Sequence, residues 1–412
     1  MKSKSTQSRR SFLKTLGLAS GSALAYPLAA EASLPQIKIK RVRIYTPPVL
    51  NTLFNQSNLV VMIETDQGLT GIGEGGSKDT LEQCAGRLIG KNPFQIERCW
   101  QDMYRAFFYP PGREKIHALG ALDLALWDIK GKALGVPVHE LLGGMNRNYC
   151  ECYLGGGRGG GGLKENAKAA IDAGYRAFRI DAASVRGTNV YNAHERVQQI
   201  VEDCRQIREG VGPNGDWLID LHTRFDLADS RRICKLLEEF APYLIEDPVR
   251  TEAFLEDIPK LRLSTTAPLA AGEQWGQRWD FHKLVESHDI DYLRATLPNV
   301  GGITEMLKVA ALCETHAVGI VPHFTGPIAT AALVHALGTF SGPVMMEIGQ
   351  NNKPHDHLPE CLDFKNGKLW PNERPGLGVT VEMKAIKLIG EITEPITDRS
   401  TYVRPDGSQT NW

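Results

Sequence analysis

Between residues 148 and 348 the chain repeats one rhythm, a short apolar strand that usually ends in polar residues, followed by a helix-patterned segment. Eight such strands can be marked: NYCECYLG, YRAFRID, WLIDLH, YLIEDP, PLAAGEQW, DYLRATLP, VGIVPHF and PVMMEIG. Strands joined through helices pair in parallel, because the crossover returns the chain to the same end of the sheet. The expected fold class is therefore α/β, a parallel (β/α)8-type barrel at the small end of its size range. A doubly wound open sheet is the alternative. It would gather ligand groups at one switch point, whereas here polar residues end successive strands.

The flanks read differently. Residues 36 to 75 look like strands, with alternation in IKIKRVRIYT and then NLVVMIETDQGLTGIGEG, where Asp66-Gln67-Gly68 supplies a hairpin turn. From Leu81 to Leu142 apolar residues recur at helical spacing, ending in ALDLALWDIKGKALGVPVHELLGG with Gly and Pro as breakers. This predicts an α+β capping domain over residues 36–145 and the barrel over 146–370. A C-terminal segment, 371–412, with PGLGV and a short helical run, is expected to pack back on the cap.

The first 32 residues form a separate unit. A basic start is followed by TLGLASGSALAYPLAA, too short and too rich in Gly and Ser to span a membrane securely. Ser8-Arg9-Arg10-Ser11-Phe12-Leu13-Lys14 resembles the twin-arginine export motif, and Ala30-Glu31-Ala32 offers a small-x-small cleavage site. A signal peptide fits this order of features better than a frayed basic terminus does. The expected mature chain starts near Ser33, is periplasmic, and keeps no membrane anchor after processing.

Basic and acidic residues, 47 and 48, nearly cancel and are mixed along the chain, so no broad field would attract nucleic acid or anionic lipid. A small-molecule partner is expected, and a homo-oligomer. The eight cysteines lack paired metal-ligand spacing and the density of a disulfide scaffold. Proteins exported by the twin-arginine route fold in the cytoplasm, so most of these thiols should be buried and reduced. Gly155-Gly156-Gly157-Arg158-Gly159-Gly160 formally matches a dinucleotide-binding fingerprint, but such a match is cheap in so glycine-rich a run. A flexible loop closing over the barrel mouth is the expected use.

Three acids end three successive strands: Asp220 in LIDLH, Glu246 in LIEDP and Glu273 in AAGEQW, spaced near 26 residues each time. In a barrel those ends converge at the C-terminal mouth. Three carboxylates around one point repel one another unless a cation holds them, and hard oxygen ligands suit Mg²⁺, one per subunit.

With the preceding cap and the closing tail, this triad resembles the enolase superfamily over nearly all of the mature chain. Asp220-Leu221-His222-Thr223-Arg224, the turn Glu246-Asp247-Pro248, Gly301-Gly302-Ile303-Thr304-Glu305 and Pro322-His323 are similar to its mandelate racemase and galactonate dehydratase branch. The chemistry agrees. A proton next to a carboxylate is weakly acidic, so its removal needs a divalent ion on the carboxylate and a positioned base. His222 lies two residues past a metal ligand, on the same strand face, and His323 ends the seventh strand across the mouth. By resemblance His323 is the base, His222 the acid, and Glu347 at the end of strand eight hydrogen-bonds the substrate carboxylate. Arg179, Arg224 and Thr296 join Glu347 among the expected substrate-binding positions. His316, His335, His355 and His357 are expected in helices or loops.

Two departures from the branch stand out. Its strand-six aspartate, five residues before the Gly-Gly pair, is Thr296 here, and threonine cannot stabilise an imidazolium as a carboxylate does. Its racemases and epimerases carry Lys-x-Lys at the end of strand two, which reads Arg179-Ile180-Asp181. Asp181 is then either a base itself or the partner of Arg179. The resemblance implies a Mg²⁺-dependent lyase, a sugar-acid dehydratase giving a 2-keto-3-deoxy acid. The alternatives are an isomerase, cycloisomerase or epimerase of the same superfamily and a non-catalytic periplasmic sugar-acid binding protein. Substrate choice is expected to lie with the cap loops at 46–57 and 108–115.

Overall fold

The computed structural model describes residues 34–53, 56–106, 112–156, 161–182, 190–250, 252, 254–324, 326–348, 355–397 and 401–411. Residues 1–32, expected from the sequence to be a signal peptide, residues 157–160 of the glycine-rich loop and parts of both cap loops lie outside them. From Ile37 to Trp412 the chain forms one compact unit. Among the described residues no helix is long and apolar enough to cross a membrane.

The cap sheet begins with β1 (Ile39–Thr46), β2 (Val60–Thr65) and β3 (Thr70–Glu74), antiparallel throughout. Val42 and Ile44 of β1 point inward and are fully buried, while Arg41 and Arg43 lie on the other face against Glu64 of β2. The helix Arg113–Leu134 packs along β3 so closely that a β-carbon at Gly71 or Gly73 would run into the carbonyls of Ala125 and Ala121. Glycine is what lets the backbones meet.

Eight parallel strands follow: β4 (Cys150–Gly155), β5 (Ala177–Asp181), β6 (Asp216–Asp220), β7 (Leu244–Glu246), β8 (Leu269–Ala271), β9 (Tyr292–Leu293), β10 (Gly319–Ile320) and β11 (Met345–Ile348). Each from β4 to β9 pairs with the next, β11 pairs in parallel with β4, and Ile320 of β10 makes a single bridge to Val344 beside β11. These links complete the ring. Tyr153, Leu218, Leu244, Val321 and Met345 form a buried cluster of their own from alternate strand positions. Trp217, Ile219 and Ile245 belong to a larger core that takes in the helices.

The strands are shorter than their apolar runs, ending at Leu293 and Ile320 where the runs continue to Pro298 and Phe324. The continuations turn into the barrel mouth. After the small strands β12 (Asp363–Lys365) and β13 (Lys368–Trp370), the tail differs from the short helix expected. Its described residues form a 3₁₀ turn, Met383–Ala385, and then β14 (Lys387–Ile392), which pairs with β1 and places Glu391 beside Arg43. A run this short cannot separate a period of two from one of 3.6, and the open edge of β1 supplies the pairing.

Cap and barrel are tied together at the mouth. Asp123 of the helix Arg113–Leu134 accepts from the backbone N–H and hydroxyl of Thr304, and Trp100 Nε1 donates to Gly301 O. Gly302 has φ 86°, and a β-carbon on it would collide with Asp123. The Gly-Gly-Ile-Thr run is thus a docking surface for the cap. Glu74, at the end of β3, accepts from Ala329 N at 2.8 Å at the start of the helix Pro327–Gly338. Burial pushes its carboxyl up to about 8.

Candidate metal centre and active site

Parallel register puts Asp181 beside Asp220 and Asp220 beside Glu246, and Glu273 follows β8 after Gly272. One oxygen from each of Asp220, Glu246 and Glu273 lies within 4.8 Å of the others. Asp220 and Glu246 are fully buried. Burial, then the charge of Glu246, raises the Asp220 carboxyl; burial, then Asp247, Glu246 and Asp220, push Glu273 well up. Glu246 goes the other way, because Arg294 and Arg179 outweigh its burial. Glu273 Oε2 is buried without a hydrogen-bond partner among the described residues. Three converging carboxylates with an unpaired oxygen fit a hard divalent cation. The backbone is unusual here too: His222, Thr223 and Asp247 have φ of 51°, 54° and 43°, a region costly for side-chain-bearing residues.

Two guanidiniums stand among these acids. Arg179 Nη1 donates to Asp220 Oδ2 at 3.2 Å and to Glu246 Oε2 at 3.0 Å, and its Nη2 lies 3.0 Å from Glu347 Oε1. Arg294, the residue after β9, is fully buried. It donates to Glu246 Oε1 at 2.5 Å, Glu347 Oε2 at 2.7 Å, Tyr153 Oη at 3.0 Å, and the carbonyls of Val321 and Pro322 at 2.8 and 3.0 Å. Although burial works against ionisation, Arg179 and Arg294 hold the Glu347 carboxyl well below its ordinary range.

The two histidines lie on different sides of the triad. His222 Nε2 is 2.8 Å from Asp220 Oδ2, and its side chain is 38% exposed. Burial lowers its pKa, but the Asp220 hydrogen bond and the nearby acids outweigh that and raise it. His323 Nε2 lies 3.6 Å from Glu273 Oε2, and burial pushes this imidazole down to about 4. Thr296 Oγ1 and His323 Nδ1 are both buried without a hydrogen-bond partner among the described residues. Among the described residues no group takes the place of an orienting carboxylate on that nitrogen.

The other expected residues fall as follows. Asp181 Oδ1 lies 3.4 Å from Arg179 Nη2, so of its two readings it makes the partner contact, and it also groups with Asp220 and His222. Arg224 is exposed on the turn after β6. His335 is buried with its Nδ1 3.0 Å from His139 Nδ1, and His316 caps a helix C-terminus. A cavity of about 470 Å³ opens between residues 48–51 of the cap and Phe324, with His355, Asp356 and His357 on its wall. All eight thiols are free, and seven of them are buried.

Two residues of the site escaped the sequence reading. Arg294 carried a signal, since a charged residue in the middle of a buried strand run needs a partner. Gln56 carried none. Its amide Nε2 reaches within 3.4 Å of His323 Nε2, while Asn51 Nδ2 donates to its carbonyl at 3.2 Å.

Residues 37–143 match the model of the mandelate racemase / muconate lactonizing enzyme N-terminal domain, and residues 162–385 that of the enolase C-terminal domain-like family. The chain belongs to the enolase superfamily. Within the superfamily it is 36% identical over 375 residues to the D-galactonate dehydratase of Xanthomonas oryzae pv. oryzae (strain PXO99A), covering 86% of this chain and 96% of that one. The D-galactonate dehydratase of Verminephrobacter eiseniae is 34% identical over 372 residues, with the same coverage. A solved enolase-superfamily member from Salmonella Typhimurium superposes with a TM-score of 0.77 at 25% identity, over 86% of this chain and all of that one. An enolase from Pantoea ananatis with bound d-gluconate and Mg superposes at 0.76 and 26% identity, over 85% and 94%. The chain lies in the mandelate racemase and galactonate dehydratase-like branch of the superfamily, and it is a dehydratase, a hydro-lyase.

Proposed function

We propose that this enzyme removes water from a sugar acid with Mg²⁺ as cofactor, giving a 2-keto-3-deoxy acid. The observation that carries the reading is the triad of Asp220, Glu246 and Glu273, oxygens within 4.8 Å, standing between two histidines. The triad would hold the ion. When bound, Mg²⁺ supplies positive charge to the substrate carboxylate, making the neighbouring C–H more acidic and stabilising the charge formed as it breaks.

The protein's own groups divide the proton work. His323, kept neutral by burial, takes the α-proton on Nε2, the atom that faces Glu273 and Gln56. His222, raised by Asp220, carries a proton and delivers it to the β-hydroxyl, so that the C–O bond breaks and water leaves. The resulting enol takes up a proton at the β-carbon and releases its hydroxyl proton, which makes it the keto acid. Two titratable groups pushed in opposite directions are the usual mark of an acid and a base in one site. Arg179 lies where it can receive the substrate carboxylate; Glu347, held ionised by Arg179 and Arg294, has no proton to offer a second carboxylate and acts as their counterion instead of hydrogen-bonding the substrate carboxylate as expected. The relatives named for galactonate and the neighbour holding d-gluconate support an aldonic acid as substrate.

Screening a sugar-acid library with Mg²⁺, and detecting keto products with semicarbazide, tests the reading; a mass-neutral product would point to an isomerase instead. His222→Asn and His323→Asn should each cost about 10²- to 10⁴-fold in turnover, and only His323→Asn should stop exchange of the α-proton with solvent deuterium. Exchange that survives in His323→Asn but vanishes in Asp181→Asn would move the base to β5. We also propose export by the twin-arginine route, which N-terminal sequencing of the periplasmic protein tests.

A further inference from the structure

The two guanidiniums of the centre differ in how they are held. Arg294 is pinned: besides Glu246 and Glu347 it donates to Tyr153 Oη and to two backbone carbonyls, none of which a cation would remove. Arg179 has no such anchor. Its described hydrogen-bond and ion-pair partners are all carboxylates, Asp181, Asp220, Glu246 and Glu347, its guanidinium otherwise lies over the Tyr153 ring at 5.7 Å, a contact without fixed donor geometry, and its Nε is buried without a hydrogen-bond partner among the described residues. Its Nη1 bonds at once to Asp220 Oδ2 and Glu246 Oε2, oxygens of two of the three triad members. One positive group and an incoming dication therefore compete for the same lone pairs. The other end of the fork faces Glu347 and the half-exposed Asp181, on the side open to a ligand.

We propose that Arg179 is a two-position counterion that couples cation binding to carboxylate binding. It neutralises Asp220 and Glu246, yields them to a divalent cation, and then offers its freed N–H groups to the carboxylate of the substrate. A ligand that binds one arrangement better shifts the balance toward it, and the coupling is reciprocal. Cation and substrate then each bind more tightly when the other is present. The free protein binds the cation weakly, because the guanidinium must first be displaced. Arg294 stays in place in both arrangements and keeps Glu246 oriented. The inference rests on the proposed metal centre but adds a property that the centre alone does not require.

The test is Mn²⁺ binding to the full chain, followed by electron paramagnetic resonance, with and without d-gluconate, in a His323→Asn background that prevents turnover. With Arg179 present, d-gluconate should tighten Mn²⁺ on the order of 5- to 150-fold, the usual range of such coupling. Adding Arg179→Gln should tighten Mn²⁺ about tenfold in the absence of d-gluconate and remove most of the effect of adding it. Arg179→Lys keeps the charge but loses the fork. It should fall between the two, and it remains a test if the glutamine variant shows no folded far-UV circular dichroism. Equal Mn²⁺ affinity in Arg179 and Arg179→Gln proteins, or d-gluconate coupling undiminished by either change, overturns the inference while leaving the metal centre standing. Absence of stoichiometric Mn²⁺ binding, or binding indifferent to Asp220→Ala, overturns the centre itself.

Discussion

Arg294→Met removes a fully buried guanidinium while keeping an unbranched side chain of similar reach, and it strips Glu246 and Glu347 of contacts at 2.5 and 2.7 Å. Deleting one partner of a buried ion pair costs about 3–5 kcal/mol, because the remaining charge is left without compensation. The Tyr153 hydroxyl and two carbonyls also lose a donor, each a loss of about 1–3 kcal/mol if nothing replaces it. These terms overlap, so the expected loss at pH 7 is about 3–5 kcal/mol, read from urea unfolding followed by tryptophan fluorescence. It should also depend on pH. In the parent protein, burial notwithstanding, the two arginines depress the Glu347 carboxyl below its ordinary 4.5. Its ionisation therefore stabilises the fold above about pH 4.5, and that stability fades only as pH falls toward the depressed value. Without Arg294 the buried acids regain protons at higher pH, so the deficit should narrow between pH 7 and pH 4. Arg294→Met combined with Glu347→Gln should cost less than the sum of the separate changes. A loss below about 1 kcal/mol, or one that does not vary with pH, would refute the counterion role.

Asp220→Ala, Glu246→Ala and Glu273→Ala should each abolish turnover and stoichiometric Mn²⁺ binding while circular dichroism still reports a folded barrel; metal-independent activity in any of them defeats the ligand assignment. Thr296→Asp places a carboxylate where the branch has its orienting aspartate, which raises the pKa of a nearby imidazole. Since the base works unprotonated, the acid limb of the turnover profile should move to higher pH without loss of activity. Glu74→Gln should change how stability varies with pH. The Glu74 carboxyl is pushed up to about 8, so its contribution is present below the ordinary 4.5 and is lost as pH rises through about 8. The glutamine variant should therefore lose less stability than the parent between pH 6 and pH 9 in thermal melts.

Much of the architecture was legible because it depends on local pattern. The eight apolar runs between 148 and 348 all became parallel strands, and the Asp66-Gln67-Gly68 turn joins β2 to β3 as read, with Gly68 at φ 82°. The tail, expected to hold a short helical run, instead forms a strand at residues 387–392, since a short run carries too few residues to reveal its period and takes its form from the edge it meets. The Gly301-Gly302-Ile303-Thr304 run was seen as a family feature, and only its contacts with Trp100 and Asp123 give it a job.

For the site, spacing alone put Asp220, Glu246 and Glu273 at successive strand ends, and a closed barrel makes such ends converge. The sequence by itself thus determined the fold class, the acidic triad and the two histidines beside it. It could not determine what neutralises the triad. Arg294 reaches Glu347 across 53 residues and Gln56 reaches His323 across 267, and no periodic signal spans such separations. The tertiary structure decided those contacts, because a buried charge takes its partner from whatever packing brings near, not from its neighbours along the chain. It also decided that Asp181 faces Arg179, and that His222 is raised while His323 is lowered. Both imidazoles have the same chemistry in isolation, and only burial and neighbouring charge, properties of the folded chain, set them apart.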